Sequence, residues 1–117
     1  MADERFLAQL WAVIESRKAD DSAAGSYTRQ LLADPPQIRR KIAEEAYEVN
    51  EAHQALLNGK DSKDHLTHEA ADLIYHLFVL LASADVTPSA VYGVLERRHT
   101  PHTPGAPVRG PGTGKTP

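Results

Sequence analysis

The chain has 117 residues, no cysteine, 25% charged side chains and a formal net charge of −3, which points to one mildly acidic domain rather than an array of domains. Its hydrophobic share of 41% is carried by Ala, Leu and Val, with aromatics at only 6%, a balance that suits packed helices and argues against a disordered chain. Without cysteine there is no disulfide framework, thiol nucleophile or thiolate metal site.

The longest apolar stretch, Leu77 to Ala82, falls far short of the roughly 18 residues that cross a bilayer. The N-terminus carries Asp3 and Glu4 where a signal region would be basic, so no membrane partner or export signal is expected, and a cytoplasmic location fits. No aromatic residues interleave with a basic stripe, which argues against a nucleic-acid partner. A phosphate-bearing ligand would need a local cation or a metal.

The spacing predicts a first helix over residues 4–18, with Phe6, Leu7, Leu10, Val13 and Ile14 on its apolar side and Asp3 as N-cap. Asp20 to Gly25 reads as turn material. Ser26 to Ala33 forms a short helix that Pro35 and Pro36 interrupt. A long helix runs from about Gln37 to Leu57 and stops at Asn58-Gly59. Another spans about Lys63 to Ser83 behind a cap at Asp61 or Ser62. A last helix opens on Thr87-Pro88, with Thr87 as N-cap and Pro88 at the first helical position. No alternating β-branched run suggests a strand.

From Thr100 to Pro117 the chain turns to Pro, Gly and Thr, a composition expected to stay disordered. The domain is therefore placed at residues 1–98, with 99–117 as a tail. The tail's Gly114-Lys115-Thr116 resembles the end of a phosphate-binding loop, but Arg109 stands where that motif needs its first Gly, and no strand or helix flanks it. The fold class expected is all-α, a bundle of four to five helices. Fewer than 100 ordered residues bury a limited core.

On a helical wheel of roughly 100° per residue, Ile38, Ile42, Ala46, Val49, Ala52 and Leu56 share one arc of the long helix. Glu45 falls inside that arc and Glu48 at its edge one turn on, while Glu51 turns outward. A carboxylate aimed at an apolar interior is costly unless it is paired or holds a cation. The next helix repeats the pattern: Leu66, Ala70, Leu73, Leu77 and Leu80 form its arc, with Glu69 and Asp72 one turn apart along the edge. Two antiparallel helices that each offer a pair of acids make a hard-oxygen site suited to Mg²⁺ or Mn²⁺.

The ordinary alternative is that such pairs are solvated or matched with Lys and Arg, leaving a helical interaction module whose acids decorate an interface. A carboxylate-bridged di-iron bundle would need Glu-x-x-His on two helices, which the sequence lacks. His65, His68 and His76 flank the acids, and an imidazole ligand from His65 or His76 is the remaining variant.

Three segments, Ser26-Tyr27-Thr28, Lys41-Ile42-Ala43-Glu44-Glu45-Ala46-Tyr47-Glu48-Val49 and Glu69-Ala70-Ala71-Asp72-Leu73-Ile74-Tyr75-His76-Leu77, together resemble the phosphoribosyl-ATP pyrophosphohydrolases of histidine biosynthesis. The likeness runs from Ser26 to Arg98 and ends on Val94-Leu95-Glu96-Arg97-Arg98. That family belongs to the all-α nucleoside triphosphate pyrophosphohydrolases, marked by Glu-x-x-Glu, a spacer and Glu-x-x-Asp. The resemblance implies that Glu45, Glu48, Glu69 and Asp72 hold Mg²⁺ and, with Glu44 as a further ligand or base, carry the cleavage of phosphoribosyl-ATP between its α and β phosphates.

It also implies that Ser26, Tyr27, Thr28 and Arg29 contact substrate phosphates, although Ser26 would serve equally as a helix N-cap. Lys41 meets either the phosphates or Glu45 in an i, i+4 pair. Arg97 and Arg98 complement a helix C-terminus. Asn50 departs from the family's apolar or small residue after Val49. The resemblance further implies completion of the bundle by homodimerisation and a cyclohydrolase on a separate chain as pathway partner, and the rival enzyme reading is a housekeeping hydrolase of non-canonical nucleoside triphosphates.

Overall fold

The computed structural model describes residues 4–19 and 25–100. The proposed cap at Asp3, most of the turn beginning at Asp20 and the tail beyond Thr100 lie outside the described residues. Five helices run in order: α1 (Glu4–Ser16), α2 (Tyr27–Leu32), α3 (Pro35–Leu57), α4 (Lys63–Ser83) and α5 (Pro88–His99), with no strand among the described residues. The chain divides into two units, one ending at Val86 and the other beginning at Thr87.

In the first unit every described boundary of α2, α3 and α4 has a local cause. Ser26 Oγ accepts the Arg29 N–H at 3.0 Å and starts α2. Asp34 Oδ1 accepts the Gln37 N–H at 3.4 Å, and Pro35 and Pro36 occupy the first turn of α3. This moves the start of the long helix two residues ahead of the expected Gln37. A proline at the first helical positions forgoes only an N–H that has no intrahelical acceptor, so the pair opens α3 instead of merely interrupting α2. At the other end Gly59, at φ +73°, lets its N–H reach Leu56 O at 3.0 Å and the Lys60 N–H reach Ala55 O at 2.8 Å, the paired bonds of a Schellman stop.

Ser62, rather than Asp61, caps α4, accepting the His65 N–H at 3.1 Å. The same stop recurs after α4, where Val86 N–H bonds Leu81 O at 3.0 Å and Asp85 takes the left-handed position at φ 57°. Asp tolerates that region better than most non-glycine residues, and its carboxylate meets Lys18 Nζ at 2.7 Å.

α3 and α4 form an antiparallel hairpin, with α1 packed on α4 and α2 bridging both. The core comprises Ile14 of α1, Leu31 of α2, Ile38 of α3 and Phe78, Val79 and Ala82 of α4, with Trp11 edge-on to Phe78 at 6.2 Å between ring centroids. The expected arc of α3 faces inward, but that of α4 is rotated: His76, Phe78, Val79 and Ala82 are buried, while Leu77 is 39% exposed. From Leu73 to Ala82 the helix is apolar almost all round, so spacing alone could not choose the buried side. Phe6 and Val13 are likewise half exposed, and Leu7, Leu10 and Trp11 carry the contact of α1.

In the second unit Thr87 Oγ1 accepts the Ala90 N–H at 3.1 Å and Pro88 opens α5. Arg97, Arg98 and His99 fill its last turn, where cations complement the helix dipole. Among the described residues no single helix is long and apolar enough to cross a membrane.

Leu31→Ala is expected to lower the unfolding free energy by about 2–5 kcal/mol, against less than about 0.5 kcal/mol for Leu57→Ala on the surface. Urea titrations of the two variants measure the difference, and equal losses would contradict the placement of the core.

Candidate functional site

The 3.6-residue period of α3 puts Glu45 and Glu48 one turn apart on the side that meets α4, and the antiparallel pairing brings Glu69 opposite them. One oxygen from each of Glu45, Glu48 and Glu69 falls within 4.8 Å of the others. Glu45 is only 6% exposed, and the Oε2 atoms of both Glu45 and Glu69 are buried with no hydrogen-bond partner among the described residues. Burial pushes the Glu45 carboxyl above the usual carboxylate range, with the charges of Asp72 and Glu48 adding to the effect and Lys41 opposing it. Two inward oxygens with nothing to satisfy them, beside a third acid, fit a hard divalent cation.

The remaining expected residues fall at different distances from this cluster. Asp72 is exposed and outside the 4.8 Å group, although its charge acts on Glu45. Glu44 is half exposed and pairs with Lys41 Nζ at 3.4 Å, so the lysine takes the i, i+3 acid in place of the expected Glu45. Tyr27 sits near Lys41, Glu44 and Glu45, close enough for their charges to act on its phenol, whose pKa is raised chiefly by burial. Thr28 Oγ1 contacts the Tyr75 hydroxyl. Ser26 is engaged as the cap of α2. The Arg29 guanidinium donates to the main-chain carbonyls of Arg17, at 2.9 Å, and Lys18 beyond the end of α1.

Two histidines are more closely tied to the site than the sequence suggested. His76, 5% exposed, has Nδ1 2.8 Å from the Asp72 carbonyl oxygen and Nε2 2.9 Å from the Tyr27 hydroxyl. His65 lies between the carboxylates of Asp61 and Glu69, the latter 3.2 Å from Nε2. Its pKa is raised, first by the Asp61 hydrogen bond, and that of Asp61 is lowered in return. With both nitrogens of each ring engaged, an imidazole ligand from His65 or His76 finds no support. The signal for His76 was present in the sequence as a lone polar residue within Leu73-Ile74-Tyr75-His76-Leu77-Phe78.

An all-α unit in which acids from two antiparallel helices converge, with two of their oxygens buried, defines a helical protein with a buried acidic cluster. The chain belongs to the phosphoribosyl-ATP pyrophosphohydrolase family, whose model matches residues 7–99. A phosphoribosyl-ATP pyrophosphatase of a Jannaschia species is 45% identical over 94 residues, covering 80% of this chain and 86% of that protein. One from a Caulobacter species is 44% identical over 92 residues, covering 79% and 80%. A histidine biosynthesis bifunctional protein of Yersinia pestis is 41% identical over 99 residues, 84% of this chain but 46% of the relative, so the chain spans less than half of that longer protein.

The raised Glu45 pKa has a consequence for stability. Between the ordinary carboxylate value and the raised one the folded chain keeps a proton that the unfolded chain has released, so this group's contribution falls as pH rises through that window. Glu45→Gln is therefore expected to be more stable than the wild type at neutral pH in chelator and to lose that pH dependence. Added Mg²⁺ or Mn²⁺ narrows the gap by stabilising only the wild type. Urea unfolding across a pH series measures both effects, and a less stable Gln variant in chelator would count against them.

Proposed function

We propose that this chain hydrolyses phosphoribosyl-ATP to phosphoribosyl-AMP and pyrophosphate, the second step of histidine biosynthesis, as a cytoplasmic Mg²⁺-dependent enzyme. The observation that carries the reading is the convergence of Glu45, Glu48 and Glu69 with two buried, partnerless carboxylate oxygens. The family membership and the names of the relatives support the substrate.

Glu45, Glu48 and Glu69, joined by Asp72 through a side-chain rotation, would hold the cation, with Mn²⁺ as a substitute. The ion supplies charge neutralisation for the triphosphate and acidifies bound water when present. Lys41, beside the acids, adds a positive charge for the phosphates, and Tyr27 lies near it. Ser26, Thr28 and Arg29 hold this segment in place through their cap, hydroxyl and carbonyl contacts. Glu44, exposed and paired with Lys41, is the acid that takes the proton of the attacking water. The water oxygen bonds to the α-phosphorus, the bridge to the β-phosphate breaks, and pyrophosphate leaves with the electron pair. The product is the substrate of a ring-opening cyclohydrolase.

Phe6, Val13, Ile74 and Leu77 of the first unit are each between 39% and 51% exposed, and a unit of this size buries only a limited core of its own. We propose a homodimer that covers them. Light scattering at micromolar concentration is expected to give twice the chain mass, and a stable monomer would contradict this.

Pyrophosphate release from phosphoribosyl-ATP, ATP, dUTP and dITP, with Mg²⁺ and with chelator, tests the activity. Strong Mg²⁺-dependent release from phosphoribosyl-ATP alone is expected, falling at least about a hundredfold in Glu45→Gln with the fold retained. Release only from free nucleotides would overturn the substrate in favour of a housekeeping hydrolase. No release from any would favour an interaction module.

A further inference from the structure

His76 is a buried polar residue that the hydrolytic reading leaves without a task, and its surroundings specify its state. A carbonyl oxygen only accepts, so Nδ1, 2.8 Å from Asp72 O, carries the ring proton. In the Nδ1–H tautomer Nε2 presents a lone pair, and the Tyr27 hydroxyl at 2.9 Å donates to it. The Nδ1 edge of the ring also lies 3.8 Å from Glu45 Oε1. Thr28 and Tyr75, the chain neighbours of Tyr27 and His76, are joined through their hydroxyls, so two consecutive contacts fasten the start of α2 to α4. The Tyr27 ring further packs edge-on to the His76 ring, with centroids 5.8 Å apart.

We propose that Tyr27 and His76 are positioning residues for Glu45. Tyr27 and the Asp72 carbonyl fasten the His76 ring at its two nitrogens, and the anchored ring edge, 3.8 Å from Glu45 Oε1, limits how that carboxylate turns beside Glu48 and Glu69. This assigns Tyr27 a role behind the acids, acting through His76, instead of a direct grip on substrate phosphates. A ring fastened at both nitrogens keeps its place, so the buried carboxylate beside it has less freedom to turn. Groups that orient metal-binding carboxylates in this way affect cation affinity itself.

The inference rests on the cation-site part of the proposed function, and Mn²⁺ binding measured without substrate separates the two. Calorimetric titration of the wild type with Mn²⁺ tests the site. The same titration of Tyr27→Phe is expected to show affinity lower by about tenfold or more, with unchanged far-ultraviolet circular dichroism. Tyr27 is 47% exposed, so this variant removes one oxygen without opening the core.

His76→Asn, whose amide nitrogen stands near the place of Nδ1, is expected to keep part of the affinity that His76→Leu loses. Long-range ¹⁵N spectra of the imidazole are expected to show the Nδ1–H tautomer in the wild type and a mixture in Tyr27→Phe. Wild-type Mn²⁺ binding that is equally strong in Tyr27→Phe and His76→Leu overturns the inference and leaves the cation site standing. So does a Tyr27→Phe variant whose only defect is a raised KM. A wild-type chain that binds no Mn²⁺ overturns both.

Discussion

The buried carboxylate of Glu45 is the constraint on which the arrangement depends. An acid at 6% exposure on the contact face of a helix raises the free energy of the folded state unless something offsets the loss of hydration, and here Asp72, Glu48 and Glu69 make matters worse by adding like charge. Lys41 opposes them but is itself paired with Glu44. A chain selected for stability alone would place Leu or Ala at this position. The site is thus held together by the surrounding packing, and a bound cation would turn its largest local cost into a contribution to stability.

That packing works through register. A slip of one residue along α3 would turn Glu45 by roughly 100° and remove it from Glu69. The caps prevent this by fixing both ends of the hairpin. Ser62 starts α4 within three residues of the Gly59 stop, and Ile38 at the opposite end of α3 joins the cluster of Val79 and Ala82. Between these points the depth of Glu45 is set by helix geometry, and no further device is required to aim it.

Much of this architecture is legible in the sequence. Glu45 stands out because it breaks an otherwise apolar arc, and Thr87-Pro88 and Asn58-Gly59 mark boundaries through backbone chemistry that context rarely overrides. The differences between expectation and structure have physical causes. Pro35-Pro36 serves either as a break or as a helical first turn, and the choice depends on whether Asp34 caps the helix after it. The face of α4 is ambiguous by spacing because both sides are apolar, and the long-range contact of Phe78 with Trp11 of α1 decides it. Lys41 is within reach of two acids, and the half-exposed Glu44 wins because pairing there leaves both groups hydrated.

The histidines show what spacing cannot supply. His65 and His76 each stand near a candidate ligand, and a wheel gives both the same standing as ligands themselves. Their roles separate only when the partners of both ring nitrogens are known. His65 is bracketed by two carboxylates near solvent, an arrangement that favours the imidazolium and ties one oxygen of Glu69 while leaving its Oε2 buried and free. His76 is bracketed by a carbonyl and a phenol in the interior, which holds the ring in place and puts a proton on Nδ1. The two rings therefore press on the acidic cluster by different means, one through charge at its edge and the other through the shape of an anchored ring behind it. The buried inward oxygens of Glu45 and Glu69 are left as acceptors without a donor.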